Sequence, residues 1–158
     1  MTRRFIYIGL ILFATGSAFA QETKVTEEEL VRYATAMDSI NEMSASVRLK
    51  LSDMVKDNPA ITAARYNELS KIANDEAKLS EAKATPEEIA VLKEVADKKA
   101  EETTKINETY QTLAKEYVTP PVFNKVKKAL ASEPELKVRY DSLMTEMSKD
   151  NPDHGPHK

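Results

Sequence analysis

The sequence of 158 residues contains no cysteine, only two histidines and only three glycines. Without cysteine no disulfide can form, so the stability of the fold must come from its apolar core. Because both histidines lie in the last five residues, at His154 and His157, the rest of the chain is closed to catalytic triads and to structural zinc sites. These shortages argue against an enzyme.

Glycine is missing from residues 21–154, since Gly9 and Gly16 precede this range and Gly155 follows it. Sharp left-handed turns, β-hairpin turns and phosphate-binding loops usually depend on glycine. Helices that are punctuated by proline, asparagine, serine and threonine do not. The sequence therefore predicts an all-α protein.

The first twenty residues have the three-part pattern of a signal peptide. Basic Arg3 and Arg4 precede an uncharged run, residues 5–20, which ends in a small-x-small cleavage site. The run is shorter than the ~20 residues of a spanning helix, so cleavage is favoured over an uncleaved anchor. Because no cysteine follows the run and no later stretch is apolar enough to span, we expect a periplasmic or secreted protein. It should be neither a lipoprotein nor inserted in a membrane.

The charge of the exported chain limits its partners. Cleavage removes two arginines and leaves 21 basic and 26 acidic residues, a net charge of −5. That balance disfavours nucleic acid and anionic membrane surfaces, which both need a basic footprint. We expect a protein partner or self-association.

The exported chain divides into a helical domain, residues 21–150, and a disordered polar tail, residues 151–158. The tail carries His154 and His157 beside Asp153. Imidazoles at this spacing can share a metal ion, but the tail offers no surrounding structure to orient them. A solvated tail is therefore favoured over a metal site, and no cofactor is expected.

Two segments begin with the same capping box, formed by Thr26 with Glu29 and by Thr85 with Glu88. Behind each box, apolar residues recur at spacings of three and four, as in a coiled-coil seam. The first helix should run to the break at residues 58–59, about 30 residues in all, because proline disfavours helical geometry before it. Each box thus predicts the start of a long helix.

Shorter helices should follow each long one. The second helix is expected to run from about residues 59–62 to about residue 84. Thr119 and the two prolines after it should end the third helix and cap the fourth. The segment Ser132–Leu136, with Pro134 in its first turn, should start a last helix that ends before Asn151.

An aromatic-asparagine pair follows each long helix, as Tyr66-Asn67 and as Phe123-Asn124. Each pair is followed by a leucine thirteen residues after the aromatic residue. Together with the repeated capping box, this favours duplication over a chance likeness of amphipathic helices. The sequence predicts two duplicated helical hairpins, packed as an antiparallel bundle of four to five helices.

Asn67 and Asn124 recur although asparagine is a modest helix former. A buried amide can bond across to a long helix and fix its register, as in coiled coils. Alternatively, Tyr66, Asn67, Phe123 and Asn124 could line a shared groove. We favour the register interpretation and keep all four as candidate site residues.

Three of these segments resemble a known family. Thr26–Leu30 with Tyr33, the Phe123-Asn124-x-Val126 motif and the Ser132–Leu136 segment are similar to domain of unknown function 4168. The resemblance covers most of the exported chain. It implies a small, largely helical protein of the bacterial envelope, and it supplies no reaction, cofactor or catalytic residue.

The leading hypothesis is a non-enzymatic envelope protein that acts through protein-protein contact. The alternative is a periplasmic chaperone-like holdase that binds unfolded clients through an apolar surface rich in methionine and tyrosine. The methionines concerned are Met37, Met43, Met54, Met144 and Met147. An enzyme or small-ligand carrier is disfavoured, because the acidic runs are typical of helix first turns and solvated faces.

Overall fold

A computed structural model describes residues 24–149, and every regular element in this range is a helix. The elements are α1 (Glu27–Lys56), α2 (Ala63–Leu69), α3 (Glu76–Glu81), α4 (Pro86–Thr112), a π-helical turn (Leu113–Tyr117), α5 (Pro120–Ser132) and α6 (Pro134–Lys149). The all-α prediction is confirmed for this range. The predicted signal peptide, residues 1–20, and the predicted tail with His154 and His157 lie outside the described residues.

Both predicted capping boxes are present. The Thr26 hydroxyl accepts from the Glu29 amide at 3.2 Å, and the Glu29 carboxylate accepts from the Thr26 amide at 2.8 Å. Thr85 and Glu88 make the same two bonds, at 3.2 Å and 3.0 Å. The predicted starts of the two long helices are therefore confirmed.

The prediction of one continuous second helix is wrong. The chain instead forms α2, of seven residues, and α3, of six residues. Asp75 has an extended backbone and caps α3 by accepting from the Lys78 amide at 3.1 Å. A short polar side chain at this point favours a new helix start over a helix interior.

Two left-handed residues occur without glycine, at Lys83 (φ 53°) and Thr119 (φ 75°). Lys83 ends α3 in a Schellman motif, in which the Ala84 amide donates to the Leu79 carbonyl and the Lys83 amide to the Ser80 carbonyl, both at 2.9 Å. The scarcity of glycine had suggested that sharp left-handed turns would be absent. Lys83 and Thr119 show that the chain makes such turns without glycine.

Thr119 joins the π-helical turn to α5. Its positive φ is unfavourable for a β-branched residue. Thr119 occupies the N-cap position of α5, as predicted. Its side chain, however, makes no capping hydrogen bond to α5. The prolines that follow occupy the first turn of α5, as the sequence predicted.

The two long helices, α1 and α4, lie side by side and antiparallel. At the end where α1 begins, α5 and α6 pack against α1, and α5 also packs against the π-helical turn that follows α4. At the opposite end, α2 packs against both α1 and α4. Buried apolar residues form one cluster at each end instead of one continuous bundle core. The first core comprises Leu30, Tyr33, Ala36, Val118, Phe123, Val126, Ala129 and Leu136. The second core comprises Val55, Ile61, Leu69, Leu79, Val91, Leu92 and Val95.

Between the two cores, the Lys50–Glu102 ion pair joins α1 to α4, and further ion pairs within α4 surround it. Glu102 lies 2.9 Å from Lys50 and 3.1 Å from Lys98, while Glu101 lies 2.7 Å from Lys98 and 2.5 Å from Lys105. Hydrogen bonds from Lys105 and Lys98 lower the pKa of Glu101 to about 2.

Within residues 24–149, no helix combines the length and apolar character needed to cross a membrane.

Candidate functional site: a groove beside the second core

A groove with a volume of about 820 Å³ opens beside the second core. Helix α1 contributes Arg48, Leu51, Ser52, Val55 and Lys56. Helix α4 contributes Leu92, Val95, Ala96 and Lys99. Helix α2 and the turn after it contribute Ala63, Tyr66, Asn67, Ser70, Ala73 and Asn74.

The spacing of these residues explains how the groove forms. In each of the three helices, the lining residues recur three, four and seven positions after the first. At 3.6 residues per turn, such residues share one face of a helix. The groove is therefore the space where one face of each of three helices meets the others.

The groove combines an apolar floor with a cationic rim. Val55, Leu92 and Val95 form the floor and are at most 6% exposed. The fifteen lining residues include three cations and no carboxylate. Because the chain as a whole has more acidic than basic residues, the groove reverses the general charge of the surface.

Two of the three cations are free to meet a ligand. Arg48 and Lys99 are exposed and form no ion pair with any residue in the described range. The third, Lys56, lies 3.8 Å from the Asp53 carboxylate, and both side chains are well exposed. Chemically, the groove can accept apolar groups on its floor and anionic groups at its rim.

Arg65 fixes the α2 wall of the groove to the start of α4. Its guanidinium donates to the Glu88 carboxylate at 3.0 Å, to the Ala82 carbonyl at 2.8 Å and to the Glu68 carboxylate at 2.9 Å. The hydrogen bond from Arg65 lowers the pKa of Glu88 below its ordinary value. Sequence reasoning missed this contact, because nothing in the local pattern relates Arg65 to Glu88.

The opposite end of the molecule has an equivalent contact. Lys125 of α5 lies 2.5 Å from the Glu29 carboxylate at the start of α1, and its hydrogen bond lowers the pKa of Glu29. In each case, the glutamate of a capping box binds a cation from the short helix of the other predicted hairpin. Each short helix thus holds the first turn of the other hairpin's long helix, although Arg65 precedes its aromatic residue and Lys125 follows its own by two positions.

The four candidate residues do not lie together. Tyr66 and Asn67 line the groove, whereas Phe123 is 8% exposed in the first core and Asn124 is exposed nearby. The groove interpretation therefore fits the first copy of the motif and not the second.

The register interpretation does not fit the described chain. Asn67 and Asn124 are both exposed, and neither side-chain amide bonds to another residue in the range 24–149. The reason is geometric: the aromatic residue takes the buried position, and the next residue of a helix points about 100° away.

Three aromatic side chains pack together in the first core. When the two predicted copies are aligned, the corresponding residues of the other copy line the groove. The Phe123 ring lies 5.1 Å from Tyr33 and 5.7 Å from Tyr110. In the duplicated sequence the counterparts of Tyr33, Tyr110 and Phe123 are, in that order, Leu92, Leu51 and Tyr66. Two of the three aligned positions thus carry leucine instead of an aromatic residue, and all three line the groove.

Comparison with known proteins adds no assignment. The chain matches no protein-family model, no curated protein and no solved structure. The resemblance to domain of unknown function 4168 stays a prediction that rests on its motifs. Among the described residues, no group of three or more histidine, aspartate or glutamate side chains is placed to hold a metal ion.

Proposed function

We propose that this chain is an exported, non-enzymatic helical protein of the bacterial envelope that acts through protein-protein contact, and that the groove is its contact surface. The observation that carries the proposal is the groove itself, in which an apolar floor lies beneath unpaired Arg48 and Lys99. Apolar burial with a few charged groups at the rim is the usual composition of a binding site. The signal-peptide pattern of residues 1–20 supports export.

A binding role suits the chemistry of the groove better than catalysis does. General acid-base catalysis needs a group that titrates near the working pH, most often histidine or a perturbed carboxylate. The residues that line the groove include neither histidine nor a carboxylate. Their lysine, arginine and amide groups bind and orient, so recognition is the role they support.

The chaperone-like holdase stays the second candidate. It needs an adaptable apolar surface, yet all five methionines of the described range are only partly exposed. The most exposed large apolar side chains of the described range lie one on each of four elements: Leu49, Ile89, Tyr117 and Val138. These observations favour a defined contact over a broad client surface.

Site-specific photocrosslinking tests the proposal with a matched control. A photoreactive residue replaces Asn67 in one variant and Asn124 in the other, since both are exposed at equivalent positions of the duplicated motif. In the native envelope we expect an adduct of discrete mass from position 67 and none from position 124. An adduct of twice the chain mass from position 67 would identify the partner as a second copy.

Two results would contradict the proposal. The first is the absence of any adduct at position 67, and the second is the same set of adducts at both positions. Suppression of the aggregation of a denatured client, together with a ladder of many adducts, would instead support the holdase.

A further inference from the structure

The length of the groove limits what can occupy it. Along α1 its lining runs from Arg48 to Lys56, which at 1.5 Å per residue is ~12 Å. An extended peptide covers ~3.3 Å per residue, so three to four residues match this length. The dimensions therefore favour a short extended segment.

The cations of the groove are spread along it. Arg48 and Lys56 lie at its two ends on α1, and Lys99 lies on the facing wall of α4. A fatty-acid anion carries one charge at one end and would reach the cations of that end only. A peptide with an acidic side chain at each end places its charges opposite all of them.

The third wall is polar. Asn67 and Asn74 present side-chain amides, which both donate and accept hydrogen bonds, from α2 and the turn after it. An extended peptide backbone carries N–H and C=O groups that need such partners, whereas an acyl chain carries none. Between this wall and the cations, Val55, Leu92 and Val95 offer an apolar floor for one or two side chains.

We infer that the groove binds an extended peptide segment of three to four residues in which acidic side chains flank apolar ones. The inference rests on the proposed function and adds the chemistry of the partner to it. The partner is thus recognised by an acidic-apolar-acidic pattern, with its carboxylates toward Arg48, Lys56 and Lys99 and its apolar side chains on the floor.

Two labelled tetrapeptides with blocked ends test the pattern directly. One has the sequence Glu-Leu-Leu-Asp and the other Lys-Leu-Leu-Lys, and fluorescence anisotropy measures their binding to the exported chain. We expect the acidic peptide to bind at least about tenfold more tightly, and added salt to weaken it. Equal binding of both peptides, or binding of neither, would overturn the inference.

Charge-reversal variants locate the binding. Arg48→Glu combined with Lys99→Glu should weaken the acidic peptide about tenfold or more, because two attractions become repulsions. The matched control is Lys115→Glu combined with Lys127→Glu, since both residues are exposed and lie outside the groove. Circular dichroism confirms that each variant is folded. An equal loss in both variants would place the peptide elsewhere and overturn the inference.

Competition with octanoate separates a peptide from an acyl anion. We expect octanoate to leave the labelled peptide bound, and complete displacement at concentrations that match unlabelled peptide would assign the groove to acyl anions. The crosslinking experiment keeps the two proposals apart. If position 67 gives a discrete adduct but the acidic peptide does not bind, the peptide pattern is wrong and the proposed function stands.

Discussion

At the end where α1 begins, three aromatic rings fill the space between α1, α4 and α5, whereas at the opposite end the corresponding space is an open groove. Both ends follow one plan, in which a capping-box glutamate binds a cation from a short helix. The difference lies in side-chain volume at equivalent positions. One sequence pattern thus accompanies a filled end and an open end in the same molecule.

The neighbouring elements reinforce this difference. At the first end, α6 packs along α1, and its Tyr140 ring lies 5.9 Å from Tyr33. Burial raises the pKa of Tyr140 to about 12. At the second end, the additional helix within residues 24–149 is the six-residue α3, and the groove opens beside the second core.

The largest expected effect comes from truncating the equivalent aromatic residue at each end. Phe123→Ala should reduce the free energy of unfolding by about 3–5 kcal/mol, because it leaves a cavity in the first core. Tyr66→Ala should cost clearly less, roughly 1–2 kcal/mol, because Tyr66 is only partly buried beside an open groove. Equilibrium urea unfolding measures both. Equal losses would show that the two ends are equally well packed.

A smaller effect should come from the left-handed turn at each end. Thr119→Gly should raise the free energy of unfolding by about 1 kcal/mol, since glycine relieves the positive φ and no capping bond is lost. Lys83→Gly should also stabilise, by a similar or smaller amount. Thr62→Gly is the control: Thr62 has an extended backbone and a side chain that caps α2, so stability should fall by a few tenths of a kcal/mol. Destabilisation by Thr119→Gly would contradict a strained turn.

The smallest expected effect is a dependence on pH at the two capping-box glutamates. Hydrogen bonds from Lys125 and Arg65 hold the pKa of Glu29 and Glu88, respectively, below the ordinary value of 4.5. Below that value the unfolded chain binds more protons than the folded chain. The stabilisation from each pair is therefore present above pH 4.5 and is lost as the pH falls through the lowered folded-state pKa.

Glutamine variants measure this dependence. Near pH 7, Glu29→Gln and Glu88→Gln should each unfold at a lower urea concentration than the parent. Near pH 3, the difference in urea midpoint between variant and parent should be smaller. Glu87→Gln is the control, because Glu87 has no ion pair within the described range. Its urea midpoint should differ less from that of the parent at both pH values. If the difference in urea midpoint does not change with pH, the two ion pairs do not contribute to stability as expected.

Local features of this fold could be predicted from the sequence, and contacts between distant residues could not. Thr26, Thr85 and Pro120 mark helix starts because capping depends on neighbours along the chain. The break before α3 was missed although Asp75 carried its signal, because a short polar side chain can also lie on the exposed face of a longer helix.

The groove illustrates what a linear pattern leaves open. Its lining follows the same spacing of three and four as a buried seam, so periodicity could not distinguish an open face from a packed one. That outcome depends on the volume of side chains across the interface, such as Leu92 in place of an aromatic residue. The Arg65–Glu88 contact likewise requires the position of α2 on α4, which no local pattern specifies.

The charged centre of the molecule has a consequence for how the protein opens. Between the two apolar clusters, the Lys50–Glu102 ion pair joins α1 to α4. An ion pair whose lysine is half exposed adds less cohesion than an apolar core and is partly screened by salt. The groove end can thus unfold locally while the aromatic end stays intact, so that amide hydrogens in α2 exchange faster than those of α5 until a ligand protects them.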